Sequence, residues 1–158
     1  MDRQMAEAFR WIPYGIYILT TRRGTEARGM IVSWVSQVSY SPPLLMVALR
    51  RNRPALPAIQ EGGAFSLSLL SRDQKPLVEN FKEPASPIRP SDLFRPLSQK
   101  GPPTIIKGAC VSWECRLFSQ REVGDHVLII GEVLSTLVNP EREPLTTAEY
   151  GKTYIGQA

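Results

Sequence analysis

A cluster of basic residues follows an apolar segment near the end of the first third of the chain. The run RRNR, Arg50 to Arg53, could hold an anion such as a phosphate through its guanidinium groups. Asn52 could cap the following turn and expose backbone N–H groups to the same anion. A solvated basic turn is the alternative interpretation of this segment.

Ser33 and Trp34 lie in a second apolar segment, where a hydroxyl stands beside a large flat ring. A planar heterocycle with hydrogen-bonding edges needs this combination of ring, hydroxyl and backbone amides. A tryptophan in a strand is more often a core residue, so the pair alone leaves both interpretations open.

The only histidine, His126, follows Gly124 and Asp125 at the start of an apolar segment. In this place the side chain is expected to be an exposed turn histidine. It could also contact a ligand and titrate near neutral pH. Because Asp125 and His126 are adjacent, they are poorly placed for a catalytic triad unless a distant serine approaches.

Several familiar sites are missing from the sequence. No Gly-x-Gly-x-x-Gly opens a dinucleotide fold, and no Gly-x-Ser-x-Gly offers a nucleophile elbow. Cys110 and Cys115 lie five residues apart in one predicted strand, so they point to opposite faces and form no disulfide. Two such thiols and one histidine also predict no metal site.

The chain of 158 residues is long enough for one domain, residues 1–158, with its own core. No apolar run reaches the ~20 residues that span a bilayer, and the N-terminus is too polar for a secretory signal, so a cytoplasmic protein is expected. A net charge of +4 suggests an anionic partner. A basic barrel that binds nucleic acid through RRNR ranks low, because aromatic residues suited to base stacking are lacking.

Many short strands separated by turn signals predict a mainly β barrel or sandwich with two or three short helices. One helix is expected from Asp2 to about Arg10, and a capping box formed by Ser71 and Gln74 predicts another that ends near Phe81. The segment Lys82 to Thr104 contains six prolines and is expected to be a long irregular excursion.

The segment from Arg28 to Tyr40 is too long for one ordinary strand, so a bulge or turn is expected near Ser36. Alternation predicts that one face is core. The residues of that face are Met30, Val32, Trp34, Val38 and Tyr40.

Four segments, in their order and spacing, resemble the flavin reductase-like family of FMN-binding split barrels, closest to its flavoredoxin-like members. They are IPYGIYILTT, GMIVSWVSQVSYSPPLLMVALRRNR, FSLSLLSRDQKPLVENF and GDHVLIIGEVL. The resemblance implies a six-stranded split β-barrel of Greek-key type with short flanking helices. It also implies a homodimer that binds one FMN per subunit, with FAD as a possible replacement.

The resemblance further implies which residues hold the flavin. Arg50 and Asn52 would bind its phosphate, while Ser33 and Trp34 would lie along its ring system. The full set of expected flavin-binding residues is Met30, Ile31, Val32, Ser33, Trp34, Ala48, Leu49, Arg50, Asn52, Lys82 and Tyr154.

In the same family, the Gly-Asp-His motif is associated with reduced nicotinamide, which makes His126 the expected contact for NADH or NADPH. The implied activity is an NAD(P)H:flavin oxidoreductase that passes reduced flavin or electrons to a monooxygenase or a redox protein. The alternative is a flavoredoxin-like electron carrier with tightly bound FMN and little direct reaction with NAD(P)H.

Overall fold

Residues 1–24, 26–83, 86–88, 94–95 and 104–155 are described by a computed structural model of the chain. The fold is mainly β, as predicted, with short helices at its periphery. Most of the proline-rich excursion lies outside the described residues, so its expected irregular course stays a prediction. No helix within these residues is long and apolar enough to cross a membrane.

The described elements are ten strands, three α-helices and one 3-10 helix. The helices are α1 (Arg3–Arg10), α2 (Ala55–Gly62), the 3-10 helix (Arg72–Phe81) and α3 (Thr147–Tyr150). The strands are β1 (Tyr17–Arg23), β2 (Glu26–Val32), β3 (Val35–Ser39), β4 (Leu44–Arg50), β5 (Ala64–Leu69), β6 (Ser86–Ile88), β7 (Phe94–Arg95), β8 (Ile105–Ile106), β9 (Val111–Val123) and β10 (His126–Val138).

Eight of these strands form one antiparallel sheet in the order β3-β4-β10-β9-β5-β1-β2-β6. Although β2 and β3 are six positions apart in this order, only Ser33 and Trp34 connect them. A flat sheet would separate the two strands by about 29 Å, whereas the connection reaches at most about 11 Å. The sheet must therefore curl until its two ends meet at Ser33 and Trp34.

Two apolar clusters cover the two faces of the sheet. One cluster, which includes Leu19, Val47, Phe65 and Ile129, packs strands from both ends of the sheet against each other. The other includes Ile18, Leu70, Val78, Phe81 and Leu145 and packs the 3-10 helix and the segment before α3 onto the sheet. The second cluster therefore holds the 3-10 helix and the segment before α3 against that face of the sheet.

The segment from Arg28 to Tyr40 is interrupted twice. A register shift between Gln37 and Ser39 lies close to the predicted position near Ser36, and a second interruption, which was not predicted, separates the end of β2 at Val32 from the start of β3 at Val35. Val38 and Tyr40 were predicted to be core residues, but their exposed fractions are 50% and 89%. That prediction was wrong because the register shift leaves Val38 without a partner residue in β4, while Tyr40 lies in the turn after the edge strand β3.

Other local predictions are confirmed. The Asp2 side chain caps α1 by accepting a hydrogen bond from the N–H of Met5 at 2.8 Å. The capping box at Ser71 and Gln74 is present, although the helix that follows is 3-10 and contains Pro76. Cys110 and Cys115 are both buried free thiols. Burial raises the pKa of Cys115 to about 12, so this thiol stays protonated at neutral pH.

Candidate functional site

A pocket of about 220 Å³ opens where the two ends of the curled sheet meet. One wall comes from the end of β2 and the Ser33–Trp34 link, and a second wall comes from the end of β4. The lining residues are Met30, Ile31, Val32, Ser33, Trp34, Ala48, Leu49, Arg50, Arg53, Val78, Phe81, Lys82, Tyr150 and Tyr154. Ten of the eleven residues predicted to bind flavin are thus brought together; their roles remain predictions.

Backbone hydrogen bonds hold the first two walls together. The N–H of Ala48 donates to the carbonyl oxygen of Trp34 at 3.0 Å, and the N–H of Val35 donates to that of Ser33 at 2.9 Å. Ser33 is buried, while Trp34 is half-buried. Because both walls are formed by paired backbone, the pocket is shaped mainly by regular structure rather than by mobile side chains.

The basic corner of the pocket contains Arg50 and Arg53, which a turn brings together through the Arg53 N–H and the Arg50 carbonyl oxygen at 3.0 Å. Within the described part of the chain, neither guanidinium forms a salt bridge. Arg51 lies outside the pocket and pairs with Glu122 at 3.2 Å. Two cations thus remain available to an anion at this end.

Asn52 does not line the pocket. It is exposed and lines a neighbouring shallow hollow with Arg50, Arg51, Gly124 and Asp125, so Arg50 borders both. The residue at the start of α2 is Pro54, and no side chain caps that helix. Asn52 lies two residues before this N-cap position and does not cap α2; its predicted cap of the turn after β4 stays a prediction. Arg53, rather than Asn52, lines the pocket beside Arg50.

A further wall comes from the 3-10 helix, where Val78 and Phe81 line the pocket, and from α3, where Tyr150 lines it. These three residues were not predicted as site residues, because their spacing indicates only ordinary core or surface positions. Arg53 lines the pocket as well and belongs to the RRNR run that was predicted to hold an anion. Lys82 also lines the pocket, and its ion pair with Glu79 raises the pKa of the Lys82 ammonium.

His126 is 5% exposed, so the expectation of an exposed turn histidine was wrong. Its Nδ1 donates to Oδ1 of Asp125 at 2.7 Å, and its Nε2 lies 3.1 Å from the hydroxyl of Tyr154. With the proton of the neutral ring on Nδ1, Nε2 accepts from that hydroxyl. The hydrogen bond from His126 lowers the pKa of the Asp125 carboxyl.

Trp34 connects this histidine to the pocket. The Trp34 and His126 rings lie 4.7 Å apart, and the Trp34 and Tyr154 rings lie 5.1 Å apart. The indole Nε1 donates to the backbone carbonyl oxygen of Tyr154 at 3.2 Å. On the His126 side of Trp34 lies a second cavity of about 550 Å³, which Phe9, Ile12 and other residues line. Trp34 therefore separates two cavities.

Comparisons with known proteins agree on one family. A family model described as "Flavin reductase like domain" matches residues 9–156. The reductase component of 4-hydroxyphenylacetate 3-monooxygenase from Thermus thermophilus is 29% identical over 151 residues, 96% of this chain and 95% of that protein. The FMN reductase (NADH) SmoA from Agrobacterium fabrum is 31% identical over 133 residues, 84% of this chain and 75% of that protein. The structure of the styrene monooxygenase flavin reductase from Pseudomonas putida S12 has a TM-score of 0.76 at 29% identity, covering 88% of each chain.

Proposed function

We propose that this chain, which belongs to the flavin reductase like domain family, is an NAD(P)H:flavin oxidoreductase. The observation that carries the proposal is one pocket lined by the end of β2, the end of β4 and the tail residue Tyr154. The His126 ring lies 4.7 Å from the ring of Trp34, which also lines this pocket. A hydride passes from reduced nicotinamide to flavin, and the reduced flavin serves a partner enzyme. NADH or NADPH is the electron donor.

The residues of the pocket fit a flavin, with FMN as the preferred form and FAD as the alternative. Its apolar walls suit a flat ring system, and its basic corner of Arg50 and Arg53 suits a phosphate. When bound, the flavin would supply the acceptor for the hydride and the two electrons that the partner needs. We propose the same flavin contacts for Met30 to Trp34 and for Ala48 to Arg50 that the sequence predicted.

The chain itself contributes binding and orientation to this reaction. Hydride transfer between two bound rings requires no protein acid or base, so we assign no catalytic residue. His126 is proposed to contact the nicotinamide, and the Asp125 carboxylate keeps its ring oriented through the 2.7 Å hydrogen bond at Nδ1. Tyr150 and Trp34, which line the pocket, help to exclude water from the place of transfer.

We further propose that residues 1–158 are one domain whose central strands form a six-stranded split barrel, and that two copies form a homodimer. The pocket of about 220 Å³ on one chain is smaller than the ~300–1,000 Å³ typical of ligand sites, so a second copy would complete it. The relative from Thermus thermophilus is a monooxygenase component, which suggests a monooxygenase as the acceptor. Since reduced nicotinamides are cytoplasmic metabolites, we place the protein in the cytoplasm.

One observation favours a second candidate, an electron carrier with tightly bound FMN. Both ring nitrogens of His126 already have protein partners, Asp125 and Tyr154. A nicotinamide would then find no free nitrogen, and direct reduction by NAD(P)H would be slow. In that case a redox protein would reduce the bound flavin faster than NADH does.

An absorbance spectrum between about 300 and 550 nm, recorded without oxygen before and after addition of NADH, tests the proposal because bound flavin absorbs there. We expect flavin bands after FMN is added and the excess removed, and fast bleaching by NADH. Bands that bleach only with a redox protein would favour the carrier. A protein that binds neither FMN nor FAD would contradict both functions.

A further inference from the structure

The segment after α3 lies across the site and ends its described course at Ile155. We propose that Tyr154 is a positioning residue that occupies the place of the nicotinamide against His126, so that the tail must leave before NAD(P)H can bind. This inference rests on the proposed function and adds to it a step that controls access to the site.

The hydrogen bonds of His126 show why Tyr154 and a nicotinamide would compete for this side chain. Nδ1 donates to Asp125, and Nε2 accepts from the Tyr154 hydroxyl, so the imidazole has no nitrogen left for a ligand. His126 is 5% exposed, and the Tyr154 hydroxyl lies against its Nε2. A contact between His126 and nicotinamide therefore requires that Tyr154 give up its hydrogen bond.

Tyr154 also resembles the group that it would exclude. A phenol and a nicotinamide are both flat six-membered rings that carry one polar group able to hydrogen-bond an imidazole. The Tyr154 ring lies 5.1 Å from the Trp34 ring and also lines the proposed flavin pocket. The side chain thus lies in contact with both the histidine and the surface where the two reacting rings must meet.

Few contacts hold the tail in this position. Gly151 ends α3 with a φ of +81°, which favours glycine and turns the chain away from the helix. Among the described residues, the segment 152–155 makes only two hydrogen bonds, from Trp34 Nε1 to the Tyr154 carbonyl oxygen and between Tyr154 and His126. Each such bond favours the docked tail by about two- to tenfold, which a ligand can overcome.

The first test separates nicotinamide binding from hydride transfer in the flavin-loaded protein. Tyr154→Phe removes the hydroxyl and keeps the ring, whereas Tyr154→Ala removes both. Anaerobic stopped-flow reduction over a range of NADH concentrations gives the Kd of NADH and the limiting rate separately, at flavin concentrations that saturate each variant. Tyr40→Phe, at a position that is 89% exposed, is the matched control.

We expect Tyr154→Phe to lower the Kd of NADH by about threefold to tenfold, because one competing hydrogen bond is lost. Tyr154→Ala should lower it further, and Tyr40→Phe should match the natural protein. An unchanged or higher Kd in both Tyr154 variants would overturn the inference, since Tyr154 would then hold the nicotinamide or ignore it.

A second test follows the tail itself. Lys152 is exposed and precedes the docked residues, so trypsin cleavage after Lys152 removes residues 153–158 when the tail is released. Adding NAD⁺, which cannot reduce the flavin, to the flavin-loaded protein should speed this cleavage, as mass spectrometry would show, without speeding cleavage elsewhere. Equal or slower cleavage with saturating NAD⁺ would overturn the inference.

The two proposals can fail separately. A protein that binds no flavin would overturn the proposed function and this inference with it. A protein that binds flavin and is reduced by NADH, but whose Kd and tail cleavage do not respond as described, would overturn only the role of Tyr154.

Discussion

At the scale of single residues, two adjacent arginines have different surroundings. Arg50 lines the pocket, where no described acidic side chain forms a salt bridge with it. Arg51 does not line that pocket and pairs with Glu122 at 3.2 Å. Both carry the same charge at neighbouring positions, so a comparison of the two isolates the effect of position in the site.

Arg50→Ala should weaken FMN binding by about ten- to a hundredfold, because a charge-assisted hydrogen bond to phosphate is worth about 1.5–3 kcal/mol. Fluorescence titration of FMN measures this Kd. Arg51→Ala removes an equal charge from outside the pocket and should change the Kd by less than about threefold. Equal effects of the two substitutions would contradict a phosphate site at Arg50 and indicate a general effect of net charge.

The residues of the site differ in how far the sequence could predict them. Ser33, Trp34 and Arg50 lie in segments whose strand pattern and polar interruptions are visible locally, and the structure brings them to one pocket. Tyr150 and Phe81 reach the same pocket from the other half of the chain. Their place depends on long-range packing of the 3-10 helix and α3, which no local pattern encodes.

At the scale of elements, the strands were predictable and their interruptions were not. The apolar run of β4 has buried residues on one face and half-buried residues on the other. The position of the bend between β2 and β3 depends on where the sheet closes, which is a property of all its strands together. One alternating pattern, continued through this bend and through the register shift at Val38, placed Val38 and Tyr40 in the core.

Gly131 in β10 shows how closely the strands pack inside the curled sheet. A Cβ atom there would lie 2.5 Å from Cζ of Phe65 and 2.8 Å from Cβ of Cys115. Neither neighbour has space to move, because Phe65 and Cys115 are both fully buried. Gly131 therefore allows β10 to pass directly over the Phe65 ring.

Gly131→Ala should lower the free energy of unfolding by about 1–3 kcal/mol, since overpacking forces neighbouring side chains from their preferred positions. Urea unfolding followed by circular dichroism measures the change. Val138→Ala, on the exposed face of the same strand, should cost less than about 1 kcal/mol. Phe65→Leu combined with Gly131→Ala should be less destabilising than the sum of the single changes; simple additivity would contradict the contact.

At the scale of the whole molecule, α1 lacks the burial that would stabilise it. It has eight residues, none of them buried, and Met5 and Phe9 are 56% and 50% exposed. Isolated helices shorter than ~12–15 residues are marginal in water, so α1 needs a surface to cover its apolar side. Phe9 also borders the 550 Å³ cavity beside Trp34. A second copy of the chain placed over α1 would cover both the apolar side of this helix and the cavity.

Light scattering after size exclusion should therefore give twice the mass of one chain for the natural protein. Phe9→Ser removes apolar area from the expected interface and should raise the dimer dissociation constant by about tenfold or more. Arg3→Ser changes the opposite, polar side of α1 and should leave that constant unchanged.

If the pocket is completed across the dimer, FMN affinity should fall with dilution in Phe9→Ser before it falls in Arg3→Ser. A natural protein that binds FMN fully as a monomer would show that one chain suffices, and the small pocket would then have to widen on binding.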